Sequence, residues 1–152
     1  MCSKKKVIIF IGLQGSGKTY YYNHYLAENY KHINLDELHT RNKEWRKIES
    51  YVESWTDFVI DNTNPQKSDR ERYIPYLKES GYYIIGYFFE SKIQDCIRRN
   101  EQREGKAKVP IKAIAATSNK LEMPDKNEGF DEIHYIARNG DGSMYKKEWR
   151  EQ

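Results

Sequence analysis

The chain has 152 residues and a formal net charge of +3, with 38% hydrophobic and 14% aromatic residues. This length supports a hydrophobic core without metal or disulfide bridges, and the aromatic content excludes an intrinsically disordered chain. The two cysteines, Cys2 and Cys96, are too few for a disulfide framework, and no apolar run is long enough to cross a membrane. We therefore expect a single domain over 1–152, with a core at 7–137 and a polar tail at 139–152, in the reducing environment of a cytoplasm.

A strand, a glycine-rich loop and a helix are predicted at the start of the chain. Val7–Ile11 is an unbroken apolar run, typical of a strand buried on both faces. Gly12–Thr19 matches the G-x-x-x-x-G-K-[ST] phosphate-binding loop, and Tyr20–Tyr30, without Gly or Pro, predicts a helix. In such a loop the backbone N–H groups surround phosphate, the lysine reaches the β and γ phosphates, and the following hydroxyl binds Mg²⁺. The expected ATP-binding residues are Gly12, Gly15, Ser16, Gly17, Lys18 and Thr19.

The next segment predicts a second strand and a long helix. The strand covers 32–35, and Asp36 occupies the position of a helix N-cap. A continuous helix to about residue 55 would place an apolar stripe in the core, formed by Leu38, Trp45, Ile48, Val52 and Trp55. The opposite face is either a substrate surface or an ordinary solvent-exposed face, and it carries Asp36, His39, Lys43, Arg46 and Lys47.

A third predicted strand, Phe58–Asp61, ends in an acid that could help to hold a metal ion. Asn62–Pro65 has the composition of a turn. Ser68 and Glu71 then predict a capping box for a helix that ends at Gly81.

The second half of the chain continues the alternation of strands and helices. Tyr82–Phe89 predicts a strand, and Ser91 with Gln94 predicts a capping box for a helix that ends near residue 105. Residues 98–108 carry five basic and two acidic side chains, so this segment is either a solvated helix end or a clamp on nucleotide phosphates. A helix at 111–121 and a strand at 132–137 follow.

This alternation predicts an α/β fold with a mostly parallel sheet covered by helices on both faces. Ligands in such folds bind at the carboxyl ends of the strands. The loop 12–19, Asp36 and Asp61 each follow a predicted strand, so they should converge on one edge of the sheet. The cysteines and histidines are not spaced as zinc ligands.

Three strings of residues resemble one family. Asp61–Pro65 is followed by Arg70, Arg72 and Tyr73, and Arg98–Asn100 is followed by Arg103 and Val109–Ile111. Together with the phosphate-binding loop, these strings resemble the kinase domain of the polynucleotide 5′-hydroxyl kinases of phages and animals, over roughly 7–137. The resemblance implies a P-loop NTPase fold with a helical lid.

The resemblance also implies roles for individual residues. Lys18 and Thr19 would hold ATP and Mg²⁺, Asp36 would be the general base, and Asp61 would position the metal through water. Arg103 would be a lid arginine that stabilises the transferring phosphoryl group, and Arg99 would hold the nucleotide. The expected substrate-binding residues are His39, Lys43, Arg70 and Arg72, although each arginine is also compatible with a surface helix.

Two departures from the family pattern are evident. His39 stands where the family usually has an arginine that contacts substrate phosphate or supports the site. The phosphatase motif D-x-D-G-T, present in many family members, is not matched by Asp141–Ser143, so a kinase module alone is expected.

The expected activity is transfer of the ATP γ-phosphate to the 5′-hydroxyl of a nucleic acid or nucleotide. A small-molecule kinase acting on a nucleoside, sugar or antibiotic hydroxyl is one alternative, and a nucleotide-binding switch without catalysis is another. Expected partners are a nucleic acid or nucleotide end and no membrane, with a homo-oligomer left open. The expected location is the cytoplasm, or the host cytoplasm for a phage-encoded chain.

Overall fold

The computed structural model describes residues 4–105 and 108–148, which include a six-stranded sheet. The strand order is β2-β3-β1-β4-β5-β6, with β1 in the middle. The first five strands pair in parallel and β6 pairs antiparallel with β5. The strands are β1 Lys6–Ile11, β2 Lys31–Ile33, β3 Phe58–Ile60, β4 Tyr83–Phe89, β5 Glu132–Arg138 and β6 Met144–Glu148.

Short helices connect these strands. They are α1 Lys18–Tyr21, α2 Leu35–Leu38, α3 Arg41–Glu53, α4 Lys67–Glu71, α5 Ile74–Glu79, α6 Ile93–Glu101 and α7 Ile111–Lys120. A π-helical turn, Tyr22–Leu26, extends α1, and a 3₁₀ turn covers Lys126–Glu128.

Both faces of the sheet are covered, as the apolar strands predict. Alternate residues of β1 face opposite sides, so Ile9 packs in the cluster with α3 and α5, and Phe10 packs in the cluster with α1. A third cluster joins Leu13 of the loop to Cys96 and Ile114 on α6 and α7, so these two helices lie over the loop. The predicted α/β fold with a helical lid is confirmed.

The prediction of one long helix after β2 is wrong, because the structure has two separate helices there, α2 and α3. Asn34, not Asp36, is the N-cap of α2, and its side chain accepts a hydrogen bond from the Asp36 N–H. His39 ends α2 in the left-handed conformation, with φ of 72°. Thr40 then caps a new helix, α3. The apolar stripe still packs on the core as far as Val52, but Trp55 lies beyond the helix and is 43% exposed.

Other local predictions also differ from the structure. The predicted helix Tyr20–Tyr30 contains the π-helical turn and ends early. The capping box that starts the next helical region is Gln66 with Asp69, and that region is broken at Tyr73. Lys92 precedes α6 without a side-chain cap, and the Ser91 hydroxyl instead donates to the Phe89 carbonyl.

The tail expected at 139–152 contributes to the sheet. Its strand β6 pairs with β5 over five residues and leaves Met144 buried. A Cβ added at Gly17 would lie within 3.2 Å of the Met144 sulfur, so the tail packs directly against the phosphate-binding loop.

Candidate active site

The loop between β1 and α1 has a backbone shape that depends on glycine. Gly15 and Gly17 have φ of 80° and 96°, in the region that other residues rarely adopt. Space is also restricted, because a Cβ at Gly15 would lie 2.5 Å from the Cys96 carbonyl oxygen. The Arg99 guanidinium donates to the Gly15 carbonyl, so α6 holds this loop in place.

Lys18 is buried within the loop. Its ammonium group donates to the carbonyl oxygens of Gly12 and Leu13, at 3.0 and 2.7 Å. Burial lowers the pKa of Lys18 to about 8, Asp61 opposes this shift, and the positive charge of Arg103 adds to it. An anionic phosphate beside Lys18 would favour the charged ammonium.

Asp61 connects the loop to β2 and β3. Its Oδ2 accepts hydrogen bonds from the Thr19 hydroxyl at 2.8 Å and from His32 Nε2 at 2.7 Å. His32 itself stacks on the Tyr22 ring, with 4.1 Å between centroids. The other oxygen, Oδ1, is buried and has no hydrogen-bond partner within 4–105 and 108–148.

Thr19 and Asp61 fit a magnesium ion. A buried carboxylate oxygen without a partner, next to a hydroxyl, is suited to a water molecule of a hydrated cation. No cluster of three or more His, Cys, Asp and Glu that could hold a metal occurs in the described part of the chain. In nucleotide sites Mg²⁺ is usually bound by one or two protein ligands together with substrate phosphates.

Asp36 and Arg103 line the same cavity as the loop. This cavity, about 70 Å³, is also lined by Gln14, Gly15, Lys18, Thr19, Asn34, Asp61, Asn62 and Thr63. The candidate base, metal ligands, loop lysine and lid arginine are therefore adjacent, although they come from four different parts of the chain. The structure therefore brings together the residues that the sequence predicts at this edge.

A larger cavity, about 300 Å³, lies on the other side of the loop. Ser16 lines it, and the Ser16 hydroxyl is buried without a partner among the residues that the structure describes. The cavity walls come from α6, from the end of β5 and from β6, and include Arg98, Arg99, Arg138, Asn139 and Met144.

The segment Asp61–Pro65 holds the edge of the sheet together. Asn64 donates from its side chain to the Phe10 carbonyl at the end of β1, and the Thr63 carbonyl accepts from the Gly12 N–H. The side-chain oxygen of Asn62, Oδ1, accepts from the Leu35 N–H. The sequence predicted Asp61 as a metal ligand, but it predicted Asn62–Pro65 only as a turn within the family string, although amides directly after a buried strand indicate such roles. His32 was also missed, and no local signal identifies it.

Arg70 is wrongly predicted as a substrate ligand. Its side chain is fully buried and forms an ion pair with Glu128, with Nε 2.7 Å from Oε1. The guanidinium also donates to the carbonyl oxygens of Asn64, Pro65 and Glu122. Arg70 therefore cross-links the chain beneath the site.

The other three residues expected to bind substrate are exposed. His39, Lys43 and Arg72 do not line either cavity described above. His39 cannot share a helix face with Asp36, because α2 ends before it. A role for these residues in substrate binding stays a prediction.

The chain is similar to two curated proteins and matches no protein-family model. It is 30% identical over 148 residues to a protein of Acanthamoeba polyphaga mimivirus assigned as a bifunctional polynucleotide phosphatase/kinase, covering 93% of this chain and 35% of that protein. It is 24% identical over 136 residues to the bifunctional polynucleotide phosphatase/kinase of Schizosaccharomyces pombe, covering 87% of this chain and 33% of that protein. The resemblance to the polynucleotide kinase family is confirmed. The chain spans about a third of the length of these relatives.

Solved structures show the same fold. A gluconokinase from Sinorhizobium meliloti 1021 superposes with a TM-score of 0.56 at 18% identity, covering 90% of this chain and 84% of that one. Kti12 from Chaetomium thermophilum, solved with ADP-AlF3, superposes with a TM-score of 0.63 at 16% identity, covering 86% of this chain and 88% of that one. This polynucleotide kinase-like chain therefore has the fold of the P-loop kinases. No described helix has the length and hydropathy needed to cross a membrane.

Proposed function

We propose that this protein transfers the γ-phosphoryl group of ATP to the 5′-hydroxyl of a polynucleotide, oligonucleotide or nucleotide. The observation that carries the proposal is the cavity lined by Lys18, Asp36 and Arg103. Nucleotide binding alone requires neither a carboxylate nor a lid arginine at the phosphate end. The similarity to polynucleotide phosphatase/kinases supports the 5′-hydroxyl as the acceptor.

Each side chain has one task in the transfer. The Asp36 carboxylate accepts the proton of the hydroxyl, whose oxygen forms a bond to the γ-phosphorus as the bond to the bridging β–γ oxygen breaks and ADP leaves. Lys18 and Arg103 stabilise the negative charge on the transferring group. Mg²⁺, held by Thr19 and by Asp61 through water, would neutralise charge on the β and γ phosphates. His32 orients Asp61 through its hydrogen bond.

Each cavity binds a different substrate. The acceptor enters at Asp36, and the nucleoside part of ATP lies in the larger cavity beside Ser16. Arg99 contacts the loop from this side and places positive charge near the phosphates. Arg98 and Arg138 also line this cavity.

The test is transfer of labelled γ-phosphate from ATP to three groups of acceptors: 5′-hydroxyl oligonucleotides of DNA and RNA, 3′-mononucleotides, and nucleosides or sugars. We expect oligonucleotides or nucleotides to be labelled at the 5′ position, and 5′-phosphorylated oligonucleotides to serve as the negative control. Labelling of nucleosides or sugars alone would identify a small-molecule kinase. ATP binding without labelling of any acceptor would identify a nucleotide-binding switch.

A further inference from the structure

The candidate base Asp36 lies on a helix of a single turn. A turn of four residues is not stable by itself, because one turn fixes many backbone angles for few hydrogen bonds. Two side chains hold its first N–H groups: Asn34 Oδ1 accepts from Asp36 N at 2.8 Å, and Asn62 Oδ1 accepts from Leu35 N at 2.9 Å. The position of Asp36 therefore depends on the orientation of Asn62.

Glu44 on α3 determines this orientation. Asn62 Nδ2 donates to Glu44 Oε2 at 2.8 Å. A carboxylate only accepts hydrogen bonds, so the NH₂ end of the Asn62 amide must face Glu44. The carbonyl end then faces Leu35. The amide could not hold α2 if it were reversed.

Glu44 is itself held by two further groups. The Tyr73 hydroxyl is 3.1 Å from each carboxylate oxygen, and Arg41 Nη1 donates to Oε1 at 2.9 Å and to the Tyr73 hydroxyl at 2.7 Å. Both Glu44 and Tyr73 are 0% exposed. A buried carboxylate is costly, and replacing such a pair by apolar side chains often leaves stability unchanged or improves it. Stability alone therefore does not explain a glutamate at this position.

We propose that Glu44 and Tyr73 are positioning residues for phosphoryl transfer, which fix the Asn62 amide and, through it, the turn that carries Asp36. The proposal rests on the function assigned above to Asp36. Neither residue lines either of the two cavities. Their effect is on the alignment of the acceptor hydroxyl with the γ-phosphate, where a displacement of about 1 Å costs on the order of a hundredfold in rate.

Two matched variants test the proposal. Tyr73→Phe and Tyr82→Phe each remove one hydroxyl from a buried ring, and burial raises the pKa of both tyrosines to about 12, so both are neutral before the change. The Tyr82 hydroxyl donates to the backbone oxygens of Tyr51 and Thr56, far from Asp36 along the sheet. We expect Tyr73→Phe to lower kcat about tenfold or more, with KM for ATP within twofold of wild type. Tyr82→Phe should lose about as much thermal stability as Tyr73→Phe but keep the wild-type kcat. Equal losses of kcat in the two variants would overturn the proposal.

A double variant shows whether the effect passes through Asp36. Asp36→Asn combined with Tyr73→Phe should be no slower than Asp36→Asn alone, because the group that Tyr73 positions has already lost its function. A further tenfold loss would mean that Tyr73 acts elsewhere, and would overturn the proposal.

Amide hydrogen exchange provides a readout that does not depend on catalysis. The Leu35 N–H should exchange about tenfold faster in Tyr73→Phe than in wild type, and at the wild-type rate in Tyr82→Phe. If the wild type labels no acceptor, the proposed function fails and the exchange comparison still decides whether the turn is held in this way. Equal Leu35 exchange rates in all three proteins would overturn the positioning role.

Discussion

At the residue level, Lys18 is the buried cation of the candidate site. In the structure its ammonium group is satisfied by two loop carbonyls, and we expect it to move to the β and γ phosphates when ATP binds. Lys18→Ala should lower the transfer rate by at least about a hundredfold, the scale of one electrostatic stabiliser. The measurement is kcat at saturating acceptor, with thermal unfolding to show that the variant is folded. A rate within a few-fold of wild type would contradict the role of the loop.

The role of Asp36 as the base can be tested with a substitution that keeps the size and shape of its side chain. Its carboxylate does not cap α2, since Asn34 does, so Asp36→Asn should leave the fold and ATP binding intact. The amide cannot accept the proton of the hydroxyl, so we expect kcat to fall by at least about a hundredfold. Normal turnover by Asp36→Asn would show that another group is the base.

Arg103 is expected to act mainly in the transition state. Charge on the phosphoryl group redistributes as it moves, so Arg103→Ala should lower kcat much more than it lowers the affinity for either substrate. Comparing kcat with equilibrium binding of ATP separates the two effects. Weaker ATP binding with an unchanged kcat would show that Arg103 is only part of a general basic surface.

Among the secondary-structure elements, the region around α4 carries two arginines, Arg70 and Arg72, that differ in burial. Arg70 joins α4 to the 3₁₀ turn through Glu128, and Arg72 is exposed. Arg70→Ala removes the buried cation of this pair, leaves the partly buried Glu128 carboxylate without its partner, and should lower the free energy of unfolding by about 3–5 kcal/mol. The control Arg72→Ala should change it by about 0.5 kcal/mol or less. Urea unfolding measures both, and similar values for the two variants would contradict this account.

At the scale of the whole molecule, the last strand supports the first loop. Met144 of β6 packs in the cluster with α1 and lies against Gly17, over 120 residues away in sequence. Met144→Ala should lower the free energy of unfolding by about 2–5 kcal/mol and raise KM for ATP, because the loop loses a contact behind it. Its neighbour Tyr145 is 41% exposed, so Tyr145→Ala is the control for strand position. If Met144→Ala left KM for ATP at the control's value, the tail would have no part in shaping the loop.

Features that depend on local order can be predicted from the sequence alone. Buried strands need continuous apolar runs, a phosphate-binding loop needs glycine at fixed positions, and both are visible without any partner. Because the carboxyl ends of parallel strands share one edge, the sequence also predicted that the loop, Asp36 and Asp61 would meet there.

Which polar residues lie at that edge, and which are internal, depends on how the chain packs in three dimensions. Arg70 and Arg72 look alike in sequence, and Arg70 is buried because Glu128, 58 positions later, lies beside it. His32 and Glu44 belong to the site through hydrogen bonds to Asp61 and Asn62, which follow a different strand. The break at His39 places Asp36 on its own turn, and Asn62 then determines how that turn is held. These outcomes depend on pairs of residues distant in sequence, and the free energy of burying a polar group is set by the partner it finds.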